Sequence, residues 1–296
     1  MYDVIIVGGG PAGITAGIYC QRANLKTIIF EKDAIGGQIA SSPLVENFPG
    51  CKSISGAQLA TNFFEQAEEL GVQIEIEEVL EIIPGKINKV KTDFGEYESK
   101  VVIIATGSKY RLLGLPNEVN LIGKGIAFCT SCDGAFFKGK TIAVIGGGNS
   151  AVTNALYMAN LCNKVYLIDI CDHLICEKTL EDKLRSLSNV EIIQQTGVKE
   201  IIGEDELSGI KLTNDRELSI QGMFISIGMV AQTDVVKDVV SLNKQNYIIG
   251  DDCTTDKEGI FVAGDCRDKK IRQLTTAVAD GTTAAINAIK YIENYK

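Results

Sequence analysis

Cys129 and Cys132 stand with Thr130 and Ser131 between them and Asp133 immediately after, in the stretch Phe128 to Gly134. Two thiols at this spacing close a small disulfide ring without large backbone strain. At a helix start, free backbone N–H groups favour a thiolate, so one of the pair becomes a nucleophile near neutral pH. A carboxylate beside a dithiol shuttles the proton that leaves when one sulfur attacks and returns when it departs. The same spacing would also serve half of a zinc site or two buried thiols. A structural zinc site needs four ligands. The chain offers only His173 and no second C-x-x-C, so no metal site is expected and a redox dithiol is the reading adopted.

The 296 residues suffice for one large or two medium domains. Hydrophobic residues make up 45% and charged residues 23%, an ordinary globular composition. A formal net charge of −9 argues against general nucleic-acid binding but leaves room for a local basic patch. No apolar run reaches membrane-spanning length, so no membrane partner is expected. Met-Tyr-Asp leads straight into a strand, without the basic start or cleavage site of a signal peptide. Nine cysteines, with only Cys129 and Cys132 at a redox spacing, suit a reducing, cytoplasmic setting.

The dithiol must be held by something, and two repeated units supply it. Val4 to Val7 is a short, β-branched apolar run. It leads into Gly8-Gly9-Gly10-Pro11-Ala12-Gly13, a helical stretch from Ile14 to Arg22, a strand from Thr27 to Phe30, and Glu31. This is the dinucleotide-binding fingerprint in its required context. Gly8 makes the turn, Gly10 admits a pyrophosphate to the backbone, and Gly13 lets helix and strand pack closely. Glu31 is placed to accept hydrogen bonds from a ribose. The pattern returns as the strand Thr141 to Ile145, the turn Gly146-Gly147-Gly148-Asn149-Ser150-Ala151, a helix from Val152 to Leu161, the strand Lys164 to Ile168, and Asp169. Gly8 to Glu31 and Gly146 to Asp169 are equal intervals.

Each unit closes on a buried parallel strand running into a glycine turn, at Val101 to Gly107 and at Phe224 to Gly228. A β-meander is expected between Gly71 and Tyr97, with a counterpart from Val190 to Leu218. The tail strand Gly259 to Asp265 and the small-residue helix Thr275 to Ile289 do not complete the second unit, so they are assigned to the first. The expected fold is α/β, with two Rossmann-like nucleotide-binding domains, the second inserted in the first. Residues 1–110 and 241–296 would form the first domain and 111–240 the second, which carries the dithiol, joined by two short strands able to act as hinges.

With these pieces placed, the chain resembles the low-molecular-weight thioredoxin reductases from end to end. The matching pieces are GGGPAG at 8–13, GGQ at 36–38, ENFPG at 46–50, ATG at 105–107, CTSCDG at 129–134, GGGNSA at 146–151, and GIFVAGD with RQL near the end. The resemblance implies FAD in the first domain, a homodimer, and thioredoxin or a thioredoxin-like protein as substrate. It implies that Cys132 is the sulfur nearest the flavin, that Cys129 attacks the substrate disulfide, and that Asp133 is the acid. It also implies FAD contacts at Gly8, Gly10, Gly13, Glu31, Gln38, Asn47, Gly107, Asp265, Arg272 and Gln273, with the helix after Gln273 facing the flavin ring. The glutathione-reductase branch fits poorly, because residues 35–50 contain no Cys.

The match breaks at the electron donor. Members that use NADPH carry His-Arg-Arg-x-x-x-Arg after the second fingerprint. Here those places read Asp169-Ile170-Cys171 and, for the last Arg, Ile175. A hydrogen bond to a charged group contributes about 1.5–3 kcal/mol and about 1.4 kcal/mol is tenfold in binding, so losing the clasp would cost on the order of 10³-fold. Asp169 would also repel the phosphate. NADH is one remaining donor, with Asp169 at its ribose. The chain also resembles the ferredoxin-dependent flavin thioredoxin reductases, which lack the clasp. Arg267, Lys269, Lys270 and Arg272 form a basic segment beside the expected flavin site that would suit an acidic ferredoxin. Ferredoxin is therefore the expected donor. A reading of another class is a non-catalytic, redox-sensing flavoprotein. Cys171 and Cys176 are expected to be packed, reduced thiols.

Overall fold

A computed structural model describes residues 1–42 and 44–294. In chain order, strand β1 (Tyr2–Val7) leads to helix α1 (Pro11–Arg22) and β2 (Thr27–Glu31). Helix α2 (Gly56–Glu69) follows, then β3 (Gln73–Ile76), β4 (Val79–Ile83), β5 (Asn88–Thr92), β6 (Glu96–Ile104) and β7 (Ser108–Tyr110). Next come β8 (Ile126–Ala127), α3 (Thr130–Asp133), β9 (Thr141–Ile145), α4 (Asn149–Ala159), β10 (Lys164–Ile168) and α5 (Lys178–Arg185). The strands β11 (Val190–Ile193), β12 (Val198–Ile202), β13 (Gly209–Leu212), β14 (Glu217–Ser219), β15 (Gly222–Ile225) and β16 (Met229–Ala231) precede β17 (Ile260–Val262) and the last helix, α6 (Leu274–Glu293).

The chain divides into two units, Met1–Lys109 with Val230–Lys296, and Tyr110–Met229. The return to the first unit comes earlier than the expected crossing near residue 241. Val236, Val239 and Val240 explain it, because they pack in one core with Ile5, Val7, Val102, Ile104, Ile260 and Val262. The two crossing segments, β7 and β16, pair as a two-stranded ribbon.

In the first unit, β3, β2, β1, β6 and β17 run parallel in that order. On the edge away from β1, strand β6 serves two partners. Its first half pairs antiparallel with β5 (Asn88 opposite Ser99), and its second half pairs parallel with β17 (Val102 opposite Ile260). The apolar runs in β1, β2 and the end of β6 are buried on both faces, as a parallel sheet covered on each side requires. The second unit repeats the plan on a smaller scale, with parallel strands in the order β11-β10-β9-β15-β8 and a separate sheet of β12, β13 and β14. The expected meanders thus begin one strand late in both units. Gln73–Ile76 and Val190–Ile193 join the parallel sheets instead, alongside β2 and β10.

Glycine makes the close packing possible. Gly8 has φ +114° and an added Cβ would lie 2.3 Å from the Ala105 carbonyl oxygen. At Gly13 it would lie 1.9 Å from Gly8 O, so α1 descends onto the turn that precedes it. Helix α6 approaches α1 in the same manner, at Gly281, where a Cβ would lie 2.2 Å from Ala12 O. That neighbour is backbone and cannot swing aside. Gly281→Ala is therefore expected to destabilise the protein by about 1–3 kcal/mol, read as a lower urea midpoint; an unchanged midpoint would mean that α6 does not need this approach.

Candidate active site

Cys129 and Cys132 are joined as a disulfide, with Cα atoms 5.3 Å apart. Cys129 is the N-cap of α3, and its carbonyl accepts from Asp133 N at 2.9 Å and from Cys132 N at 3.3 Å. A helix of four residues cannot hold itself in place. The Thr130 hydroxyl, buried between the cysteines, donates to Asn154 Oδ1 on α4 at 2.7 Å. Gly134 packs so closely on α4 that an added Cβ would meet Met158 Sδ at 2.9 Å and Tyr157 at 3.0 Å. The Ser131 hydroxyl lies 3.4 Å from Cys129 Sγ. Burial pushes the Asp133 carboxyl up to about 6, which places its proton within easy exchange near neutral pH.

The remaining cysteines are free thiols. Burial pushes Cys20 and Cys253 up to about 12 and Cys162 up to about 11, and it raises Cys266 as well. Cys171 is raised by the Asp169 carboxylate beside it, and Cys176 by burial. None of these six is poised as a thiolate.

In the first unit, strand register brings the expected cofactor residues to one edge. Val7 is paired with Phe30 and with Ile104, and Ile104 with Val262. The turns after β1, β6 and β17, which carry Gly8, Gly107 and Asp265, therefore leave the sheet side by side, next to Glu31. Gly107 has φ +70° and open space around it. Gly10 is the N-cap of α1, with no side chain capping the helix and nothing within 4 Å of an added Cβ. Open space at an uncapped helix N-terminus is what a pyrophosphate requires. Glu31 Oε2 accepts from Gly9 N at 2.7 Å and Oε1 from Asp33 N at 2.9 Å, which fixes the acid beneath the turn. Gln38 sits in the short turn Gly37–Ser41 and donates to Ser108 O. Asn47 lies in the exposed turn that lines a groove with Phe48 and Gly50.

The Gly-Asp turn after β17 is held by charges that the sequence reading placed at the surface. Lys269, with its side chain only 8% exposed, lies 3.3 Å from Asp265 Oδ1 and 3.0 Å from Asp280 Oδ2. Arg267 donates to both oxygens of Asp280, at 2.9 and 3.3 Å, and Gly264 N donates to Asp280 Oδ2 at 3.1 Å. Burial opposes ionisation of Asp280, yet Arg267 and Lys269 hold it below the usual carboxylate range. Arg272 stacks 3.9 Å over the Tyr247 ring and donates to the carbonyls of Asp265 and Arg267. The expected basic docking patch is thus mostly interior structure, and Lys270 is the exposed cation of the four. Gln273 is the N-cap of α6, its N–H donating to Thr276 Oγ1 at 3.1 Å.

These residues fit FAD. Burial raises the Asp265 carboxyl, and the Lys269 ammonium 3.3 Å from its Oδ1 counters that only in part, so the buried acid has room for a further donor. A sugar hydroxyl is such a donor. Asp280 was missed from the sequence. Its only local signal is a lone acid in the helical run Ala-Asp-Gly, and its partners are a turn away in space and well separated in sequence.

The second glycine turn is built like the first, but its surroundings differ. Gly146 has φ +125° and its Cβ would lie 2.6 Å from Ser226 O. Asp169 is buried against Gly147, and its Oδ2 has no hydrogen-bond partner among the described residues. The following segment folds back over the turn. Ile175 N donates to Gly147 O at 2.9 Å, and Glu177 N to Asn149 Oδ1 at 2.8 Å. Ile170 and Ile175 are exposed, at 75% and 66%. No lysine or arginine lies between Asp169 and Glu177. Among the described residues no cluster of acids, His or Cys could hold a metal ion, and no helix is long and apolar enough to cross a membrane.

Comparison with known proteins places this architecture. Residues 2–281 match the family described as pyridine nucleotide-disulphide oxidoreductase. Thioredoxin reductase of Bacillus subtilis (strain 168) is 39% identical, with 99% of this chain and 95% of that one covered. A 34.2 kDa protein in the rubredoxin operon of Clostridium pasteurianum is 43% identical, over 98% of this chain and 97% of its own. The crystal structure of thioredoxin reductase from Streptococcus pyogenes MGAS5005 superposes with a TM-score of 0.94 at 39% identity, covering 99% of this chain and 98% of that one. The chain therefore belongs to the pyridine nucleotide-disulphide oxidoreductases and, within them, to the low-molecular-weight thioredoxin reductases, which are FAD-binding disulfide oxidoreductases.

Proposed function

We propose that this thioredoxin reductase takes its electrons from reduced ferredoxin, through FAD and the Cys129–Cys132 disulfide, and delivers them to thioredoxin. The observation that carries the donor assignment is the charge at the second glycine turn. Asp169, Ile170, Cys171 and Ile175 stand where a 2′-phosphate would need cations, and the nearest acid is buried against the turn. The Clostridium pasteurianum relative is a protein of a rubredoxin operon, which suits a one-electron iron carrier as donor. A homodimer in a reducing, cytoplasmic compartment is part of the same proposal, and the free cysteines suit such a compartment.

FAD supplies the ability to accept single electrons and pass on two. The protein does the rest. With the dithiol reduced, the Cys129 thiolate attacks one sulfur of the substrate disulfide, forming a mixed disulfide and expelling the other substrate sulfur, which takes a proton. Cys132, deprotonated, then attacks Cys129 Sγ. The Cys129–Cys132 bond re-forms and the second substrate thiol leaves with a proton. Two electrons and two protons have passed from the cysteines to the substrate. Asp133, the next residue in α3 after Cys132, moves the protons.

Cys129→Ser and Cys132→Ser should each abolish thioredoxin reduction while FAD stays bound, read by turnover and by the protein's visible spectrum. Full turnover by either variant would rule out the dithiol relay. For Asp133, the acid form exists below its pKa of about 6 and is depleted as pH rises through it. The exchange rate of the reduced protein should therefore show a falling limb above about pH 6. Asp133→Asn should lose that limb and run about 10²–10⁴-fold slower; an unchanged profile would take Asp133 out of the chemistry.

The donor is tested by anaerobic mixing of the oxidised holoprotein with reduced ferredoxin, NADH or NADPH, following flavin bleaching. Ferredoxin is expected to bleach it quickly. NADPH is expected to fail. The second reading, an NADH-dependent reductase, is favoured by Asp169, whose Oδ2 has no hydrogen-bond partner among the described residues, beside an intact glycine turn. Rapid, saturable bleaching by NADH that is lost in Asp169→Ala would establish that reading in place of ferredoxin.

A further inference from the structure

We propose that Asn154 is a positioning residue for the redox helix, its amide joining Thr130, between the two cysteines, to Ser226 at the second glycine turn. Thr130 Oγ1 donates to Asn154 Oδ1 at 2.7 Å, and Asn154 Nδ2 donates to Ser226 Oγ at 2.9 Å. All three residues lie within the second unit. The inference rests on the dithiol exchange and not on which donor feeds it.

The far end of this relay is rigid. Ser226 N donates to Ile145 O at 2.8 Å, and the Ser226 carbonyl abuts the Gly146 turn so closely that no side chain fits between them. Asn154 stands on α4, whose neighbours Val152, Ala155 and Met158 are fully buried. The near end is the reverse. Helix α3 has four residues, and its backbone hydrogen bonds run back to Cys129 and Thr130. Thr130 is 5% exposed, so its hydroxyl must find a partner inside the protein. The bond to Asn154 therefore fixes where α3 sits. Cys132 and Asp133 share that helix, and the exchange needs attacking sulfur, leaving sulfur and acid aligned. An amide suits this place better than a carboxylate. It both accepts from Thr130 and donates to Ser226 with no charge next to sulfurs that must ionise.

The test uses the holoprotein reduced chemically with dithionite, so that the physiological donor plays no part, and then mixed with oxidised thioredoxin in a single turnover. Asn154→Leu, close in volume and unable to hydrogen-bond, should slow exchange by about 10²-fold while the affinity for thioredoxin is unchanged. Asn154→Asp can accept from both hydroxyls, so the geometry is retained and the maximal rate should return close to the parent's. Its added negative charge should move the rising, thiolate limb of the pH profile to higher pH. A role confined to stability would lower the melting temperature of Asn154→Leu without touching rate or pH profile, and an unchanged exchange rate in that variant would overturn the proposal. If Asn154→Leu does not fold, Thr130→Val removes the donor alone with little change of shape; it should slow exchange in the same way, and a parental rate there would overturn it equally. Should the parent fail to reduce thioredoxin but reduce 5,5′-dithiobis(2-nitrobenzoate), the thioredoxin reading falls, and the same variants with that reagent decide the positioning role.

Discussion

Both units are organised by places where backbone meets backbone with no side chain between. At Gly13 the obstacle to any larger residue is the Gly8 carbonyl, at Gly8 it is Ala105, and at Gly281 it is Ala12. These approaches let α1 settle on β1 and α6 settle on α1. They also decide where the cofactor edge lies. The open N-terminus of α1, the Gly107 turn and the Gly264–Asp265 turn reach the same end of the sheet because the strands before them are in register. A site built from backbone N–H groups and turn geometry is only as accurate as the packing behind it. Here that packing is set by contacts that allow almost no adjustment.

Charge plays the complementary part. A buried carboxylate is tolerated when it is paired and hydrogen-bonded. Asp280 meets two cations and a backbone N–H. Lys269 links it to Asp265, so the acid expected to meet the cofactor is held from the side by an ion pair. The arrangement leaves the Gly-Asp turn tied to α6 at two levels, through Gly264 N and through Lys269. It also ties Arg267 and Lys269 into ion pairs, the Lys269 side chain only 8% exposed. What remains exposed of that segment is Lys270 with Ile271, a small mixed patch in place of a basic stripe.

The parts of this protein that obey local rules were legible in the sequence. A strand, a glycine turn, a helix and an acid at a fixed interval need only nearest neighbours to be recognised, and both such units stand where their residues put them. The dithiol is similarly local, since two residues between cysteines bring the Cα atoms within bonding range. What escaped depends on distant partners. Gln73–Ile76 and Val190–Ile193 are short runs of mixed polarity that fit a meander or the edge of a parallel sheet equally well, and only the neighbouring strand decides. The valines from 236 to 240 return the chain to the first unit because they match a core laid down by residues near the N-terminus. The segment Arg267 to Arg272 looks solvated until Asp280 in α6 is seen opposite it. Asn154 gave no sign at all, because a polar residue on the face of an amphipathic helix is what solvent alone would select.

The second unit separates the geometry of a nucleotide fold from its use. Gly146 is required by the Ser226 carbonyl 2.6 Å from where its side chain would begin, and this holds whether or not a nucleotide ever binds. A glycine fingerprint therefore reports a packing solution first. The claim of a bound dinucleotide rests on what surrounds the turn: an open N-terminus and an anchored acid in the first unit, a segment without cations folded across the turn in the second. Helix α4 also carries Asn154, which accepts from Thr130 of the redox helix. The inserted unit keeps its fold because its core demands it, and that fold is what positions the dithiol.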